Sequence, residues 1–171
     1  YLQRSMHYNK FSPSQPLTVF VECYYQWEAT AAEPVVVQSP PNGRCALVFN
    51  LGAPYSSSQG SSSPMPVPGA FVSGQFTSNY KLHLTGNILT IGAVLRPSAV
   101  HNFFGVRMSQ LVNTRAPVEI LGIDPSVLLE KIASNTRAED RVAVLDEFLL
   151  GKLPEAKKRL TIIDEAIDYI D

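Results

Sequence analysis

Three histidines (His7, His83, His101) and two cysteines (Cys23, Cys45) are the side chains in this chain best suited to hold a metal or to act as base or nucleophile. None is spaced for it. No His-x-His or His-x-x-x-His pair occurs, so metal-ligand spacing is absent. His83 alternates with Leu82 and Leu84 and belongs to a strand face of its own. The stretch Val72-Ser73-Gly74-Gln75 lacks the flanking glycine that a Gly-x-Ser-x-Gly nucleophile elbow needs. The glycines Gly60 and Gly69 sit among serines and prolines rather than in a phosphate-binding loop. Neither cysteine has a base beside it in sequence. Acid–base work recruits paired carboxylates or histidines, and the first 96 residues contain only Glu22, Glu28 and Glu33. The expectation is a protein that binds and does not turn over: no catalytic residue, no metal, no cofactor, not an enzyme.

The remaining constellation suits recognition. A small-molecule pocket needs an apolar lining with a few placed polar groups. The candidate ligand-binding set is Tyr24, Trp27, Phe49, Asn50, Gln75 and Arg96, with Tyr25 beside Trp27 as a further lining residue. Trp27 and Tyr25 would line the pocket, and Gln75 or Arg96 would orient the ligand. The same residues also have a structural reading. The aromatics could be plain core, and Arg96 could cap a carbonyl or pair with a helix carboxylate.

Two halves of different pattern must position these groups. Up to Arg96, apolar residues alternate or run in short blocks between turn residues, as in strands. Strands are expected over 21–28, 35–37, 44–51, 71–77, 80–84 and 87–95. The 71–77 and 80–84 segments would be neighbours, and Gly86-Asn87 would be a turn. In the first of these, Val21, Cys23, Tyr25 and Trp27 share one face, and Glu22, Tyr24, Gln26 and Glu28 share the other. The serine-rich stretch between Pro54 and Gly69 reads as a surface loop. After Pro97 the apolar spacing turns helical. Val100, Phe103 and Phe104 form a stripe ending at Gly105, and a short helical turn follows over 109–113. Asp124-Pro125 is an N-cap and first-turn pair before Leu128, Leu129 and Ile132. Val142, Leu145, Phe148 and Leu149 mark a helix over 137–150 that Gly151 and Pro154 should stop. A last stripe, Leu160, Ile163, Ile167 and Ile170, runs to the final residue and reads as a helix cut short. The fold class expected is α+β, a small antiparallel barrel or sandwich followed by helices. The division is a barrel over 1–96, a helical segment over 97–157, and the truncated start of a further element over 158–171.

Composition excludes several classes. The net charge is -1, with five Lys/Arg and three Asp/Glu before residue 97 and nine and twelve from there on. That gives no basic face for nucleic acid. Two cysteines make no disulfide framework, and no apolar run is long enough to span a membrane. The N-terminal Tyr1-Leu2-Gln3-Arg4 is not a signal core, so a cytoplasmic location is expected.

Several blocks occur together in order: Phe20 to Trp27, Leu47 to Gly52, Phe71 to Gln75 and Ile91 to Pro97, then Phe103 to Val106 with Leu111-Val112, and Phe148 to Leu150. Over roughly residues 13–171 the chain resembles the N-terminal domain of bacterial AraC-type transcription regulators. The resemblance implies a cupin-like β-barrel that senses a small-molecule effector, backed by helices that form a homodimer. Leu128, Leu129, Ile132, Val142, Leu145 and Leu149 are then the candidate dimerisation residues. It also implies a C-terminal pair of helix-turn-helix motifs that reads DNA, beyond the last residue here. The final stripe resembles the first helix of that part or the linker into it. The histidine cluster of metal-dependent cupins is missing, so a ligand would be held by hydrogen bonds and packing. Two alternatives stand beside this reading: a metal-free cupin-type enzyme, which needs a titratable pair in the barrel, and a pure dimerisation module with a filled interior.

Overall fold

The computed structural model describes residues 6–96 and 99–159. The final stripe from Leu160 lies outside the described residues. Eight strands form one antiparallel sheet: β1 (Met6–Phe11), β2 (Val21–Ser39), β3 (Cys45–Asn50), β4 (Ser56–Gln59), β5 (Met65–Pro66), β6 (Ala70–Ser73), β7 (Tyr80–Leu95) and β8 (Arg115–Pro117). Its order is β1-β2-β7-β3-β6-β8, with β4 pairing β7 and β5. Among the described residues β1 and β8 do not pair. The sheet is therefore curled but not closed, and the fold is antiparallel sheet with helices, α+β.

Two strands expected to be short are long. β2 runs 19 residues and β7 runs 16, paired from Val21↔Leu95 to Ser39↔Tyr80. The 21–28 and 35–37 segments are thus one strand, joined through a register shift between Ala31 and Val35. Pro34 lies in that irregularity, where a missing N–H breaks no ladder. Opposite it, Gly86 has φ +78°. Gly86 serves the bend in a continuous strand, not the hairpin turn that Gly86-Asn87 suggested. The bend divides the ladder: β1 and β3 flank its upper part, and β4 flanks residues 80–83 of β7. β4 and β5 arise from the serine-rich stretch read as loop. β6 pairs β3 and β8, not β7, so 71–77 and 80–84 are not neighbours. Gly74 ends β6 so close to Leu111 that a Cβ there would lie 1.8 Å from the Leu111 carbonyl oxygen.

Three α-helices follow among the described residues, α1 (Ala99–Phe104), α2 (Pro125–Ala133) and α3 (Ala138–Arg159), with short 3-10 turns at Met108–Gln110 and Val118–Leu121 between the first two. Asp124 caps α2 by accepting the Ser126 N–H at 2.9 Å, with Pro125 in the first turn. α3 continues through Gly151 and Pro154, which were expected to stop it. Pro154 removes a helical hydrogen bond, but Leu149 and Ala156 are both fully buried on either side of it. Tertiary burial outweighs the local penalty.

The sheet is a partition between two apolar cores. On one side Tyr24, Leu47, Phe49, Val72, Ile91, Ala93 and Leu95 pack with Val100, Phe103, Leu128, Ile132, Leu145 and Leu149. On the other, Ala29, Val48, Tyr55, Phe71, Leu84 and Ile88 cluster inside the curl. Of the residues assigned to dimerisation, Leu128, Ile132, Val142, Leu145 and Leu149 are buried in the helix-side core of this chain, and Leu129 is partly buried against it. They hold the helices to the sheet. Leu145→Ala should therefore cost about 2–5 kcal/mol of stability in urea unfolding. Val127→Ala, at a position 57% exposed, should stay within about 0.5 kcal/mol.

Candidate functional site

The inner side of the curl holds a cavity of about 280 Å³. Strand alternation decides which residues reach it. Tyr25 and Trp27 of β2, Ala46 and Val48 of β3, Phe71 and Ser73 of β6, Tyr80 and Leu82 of β7, and Thr90 and Val94 higher on β7 all point inward. Tyr55, Ser39 and Arg44 complete much of the wall, and Tyr8 of β1 stands at the rim. Tyr8 stacks on Tyr25, ring centroids 5.2 Å apart and planes 17° apart. Tyr25 pairs with Gly92 across the ladder. A Cβ at Gly92 would lie 2.7 Å from the Tyr25 ring, so the missing side chain is what lets the ring lie flat on the sheet.

The cation of this cavity is Arg115. It sits in β8 opposite Ser73 and reaches across to β4, where its Nη1 donates to Ser57 Oγ at 3.2 Å. Its guanidinium lies 4.4 Å from the Phe76 ring centroid and 4.2 Å from that of Tyr80. Among the described residues no carboxylate pairs with it. Burial pulls its pKa below the usual arginine value, partly offset by the Tyr80 and Tyr55 phenols. Arg44, also on the wall, is different: Glu22 holds its Nε at 2.6 Å. The lining among the described residues thus offers one uncompensated cation, phenols, hydroxyls and a thiol, with no carboxylate or imidazole. The thiol, Cys45, is pushed up to about 11 by burial and stays protonated at neutral pH.

Of the six residues expected to bind a ligand, Trp27 lines this cavity. Tyr24 and Phe49 face the other way, into the helix-side core. Asn50 builds the turn after β3, accepting the Gly52 N–H at 3.1 Å and donating to the Ala53 carbonyl at 3.0 Å. Gln75 donates to the Gly43 carbonyl at 2.8 Å and joins two loops. Arg96 Nε donates to the Thr18 carbonyl at 2.9 Å, the carbonyl-capping role. The structure therefore does not bring the six together. Sequence reasoning missed Arg115, Tyr55 and Tyr80. Arg115 belongs to a three-residue strand inside the half that reads as helical, and Tyr55 opens the serine-rich stretch; neither carries a local signal. His83 bonds Ser58 on the sheet's other face, 2.8 Å between Nε2 and Oγ. Among the described residues no three His, Cys, Asp or Glu side chains gather as a metal site.

Two outcomes follow. Gly92→Ala should displace the Tyr25 ring and cost about 1–3 kcal/mol, read by urea unfolding. The second concerns alkaline pH. Burial raises Cys45 from 9.0 to about 11, and both Tyr8 and Tyr55 from 10.0 to about 12. Each group is neutral when protonated, so the unfolded chain loses its protons first. The stability they contribute is full below about pH 9 and is lost as pH rises through 11 to 12. Melting temperature should be flat from these groups between pH 7 and 8 and fall steadily above about 9.

A search of curated proteins finds no match to this chain. A protein-family model, a domain of unknown function designated DUF6597, matches residues 9–117, a span that ends with β8 and so takes in every residue named above around the cavity except Tyr8 at its rim. The chain with this cavity belongs to the DUF6597 family.

Proposed function

We propose that this chain is the ligand-sensing and dimerisation part of an AraC-type transcription regulator of the cytoplasm, its curled sheet a cupin-like sensor and its DNA contacts made by a separate helix-turn-helix part. The ordered sequence blocks that resemble such regulators motivate the reading. One observation carries it: the same strand lines the cavity and holds the output helix. Tyr25 and Trp27 of β2 face the cavity. Between them Gln26, 4% exposed, turns to the helices and accepts from Arg141 Nη1 of α3 at 3.0 Å. Tyr24, one residue earlier, packs beside Asp146 of α3 in the helix-side core, and burial and that carboxylate push its hydroxyl up. A ligand that shifts Tyr25 or Trp27 therefore loads the register on which α3 rests. Such a ligand regulates only if it binds two arrangements of the helices with different affinity.

The cavity weighs against a filled dimerisation module, and its lining offers no carboxylate or imidazole pair for acid–base turnover. No helix among the described residues is long and apolar enough to cross a membrane. Since the inner stripe of α2 and α3 is consumed by the chain's own core, the partner face falls to the outer groove between them. That groove, about 480 Å³, is lined by Val127, Val144, Phe148 and Lys131 among others.

Light scattering at high micromolar concentration should give twice the chain mass. Val127→Glu, at an exposed position of the groove, should give a monomer that keeps the parent's far-UV circular dichroism. A strictly monomeric parent removes the dimerisation half of the reading.

A further inference from the structure

We propose that the cavity takes a small organic carboxylate, its carboxylate held by Arg115 and its apolar body packed against Tyr25, Trp27 and Leu82. This deepens the sensing role and rests on it.

The argument starts from charge. A guanidinium is rarely desolvated without a partner. Arg115 lines the cavity, both neighbouring aromatic rings lie close to it, and its acceptors are the neutral Ser57 and Tyr80 hydroxyls, with no carboxylate among the described residues to balance the charge. Packing by Phe76 and Tyr80 fixes the plane of the group, which is the preorganisation that a fork-like contact to a carboxylate needs. The charge count then selects among anions. Arg44 is already neutralised by Glu22, so the cavity offers one net positive charge. A monoanion balances it; a phosphate dianion would leave buried negative charge uncompensated. Size selects further. About 280 Å³ holds on the order of ten to twelve non-hydrogen atoms at interior packing density. Beyond the cation, apolar and aromatic faces from Trp27, Val48, Phe71, Leu82 and Val94 alternate with hydroxyls of Ser39, Ser73 and Thr90, which suits a carboxylate whose body is apolar and carries few polar groups.

A purely mechanical role for Arg115, latching β8 to β4 through Ser57, predicts no preference for anions. The two roles separate in one titration. Trp27 is the chain's single tryptophan and stands in the cavity wall, so its fluorescence reports occupancy. The probes are benzoate, its neutral isostere benzamide, and inorganic phosphate. Benzoate should give a saturable change, and benzamide and phosphate should bind at least tenfold more weakly. Arg115→Gln should weaken benzoate at least tenfold, to the level of benzamide, and Arg115→Lys should recover part of the loss.

Benzamide or phosphate binding as tightly as benzoate overturns the inference, as does a wild-type protein with no saturable benzoate response at tens of millimolar. So does a folded Arg115→Gln variant that binds benzoate like the parent. The wild-type comparison stands even if that variant fails to fold. Tight benzamide binding sinks the carboxylate and leaves sensing in place. Benzoate binding through Arg115 with no change in dimer mass or in hydrogen exchange of α3 keeps the carboxylate and sinks sensing.

Discussion

A residue in an extended strand can face only one side of its sheet, and in this protein both sides are occupied. Along β6, Cys45 to Phe49 of β3 and Ile91 to Leu95 of β7, and through Tyr24 to Trp27 of β2, successive positions go alternately to the helix side and to the inside of the curl. Tyr24 and Tyr25 are adjacent in sequence and are parted by the full thickness of the sheet. A slip of one residue in the β2/β7 ladder would exchange the two sets wholesale. The register is held where exchange would be least tolerable. Gly92 accepts the Tyr25 ring on one side, while Ile91 and Ala93, its neighbours, are fully buried on the other. Gly74 admits the Leu111 backbone at the end of β6. These two glycines serve close approach, not turns.

The bend at Ala31–Val35 and Gly86 is the second structural necessity. A ladder of this length left straight would place Tyr80 and Leu82 far from Tyr25 and Trp27. Bent, it brings the lower part of β7 and its partner β4 round to meet β8. Arg115 spans that gap through Ser57. The cavity is thus assembled from both ends of the long β2/β7 ladder and from a short strand that arrives after α1. Its position is a property of the whole sheet's curvature, not of any loop.

The sequence revealed the halves of this arrangement but not their join. Alternation in Val21 to Glu28 placed Trp27 and Tyr25 together correctly, because period-two patterning is local information. It does not tell which face is cavity and which is core, since both are apolar; hence the candidate set includes Tyr24 and Phe49, which lie in the helix-side core and do not line the cavity. The strand limits failed where glycine and proline were read as punctuation. Gly86 and Pro34 sit at a bend within continuous strands, and Gly151 and Pro154 sit within a continuous helix. In the helix, burial of Leu149 and Ala156 on either side overrode the local preference; in the strands, the irregularity at the bend accommodated it. Arg115 was illegible for a different reason. A three-residue strand has no period, and its significance lies entirely in what long-range folding brings beside it: Phe76, Tyr80 and Ser57.

The family unit closes at residue 117, whereas the helix-side core does not. The chain after that point contributes Val118, Leu121, Ile123, Leu128, Ile132, Leu145 and Leu149 as the far wall of the helix-side core. A fragment of this protein trimmed to the family boundary would keep the cavity's walls apart from Tyr8 and leave Leu47, Val72, Ile91 and Leu95 partly uncovered on the back of the sheet, where the later helices had packed. Uncovered apolar sheet of that kind invites aggregation. The matched span is in this sense one half of a wall: whatever covers its back rests on the same strands that line the cavity in front.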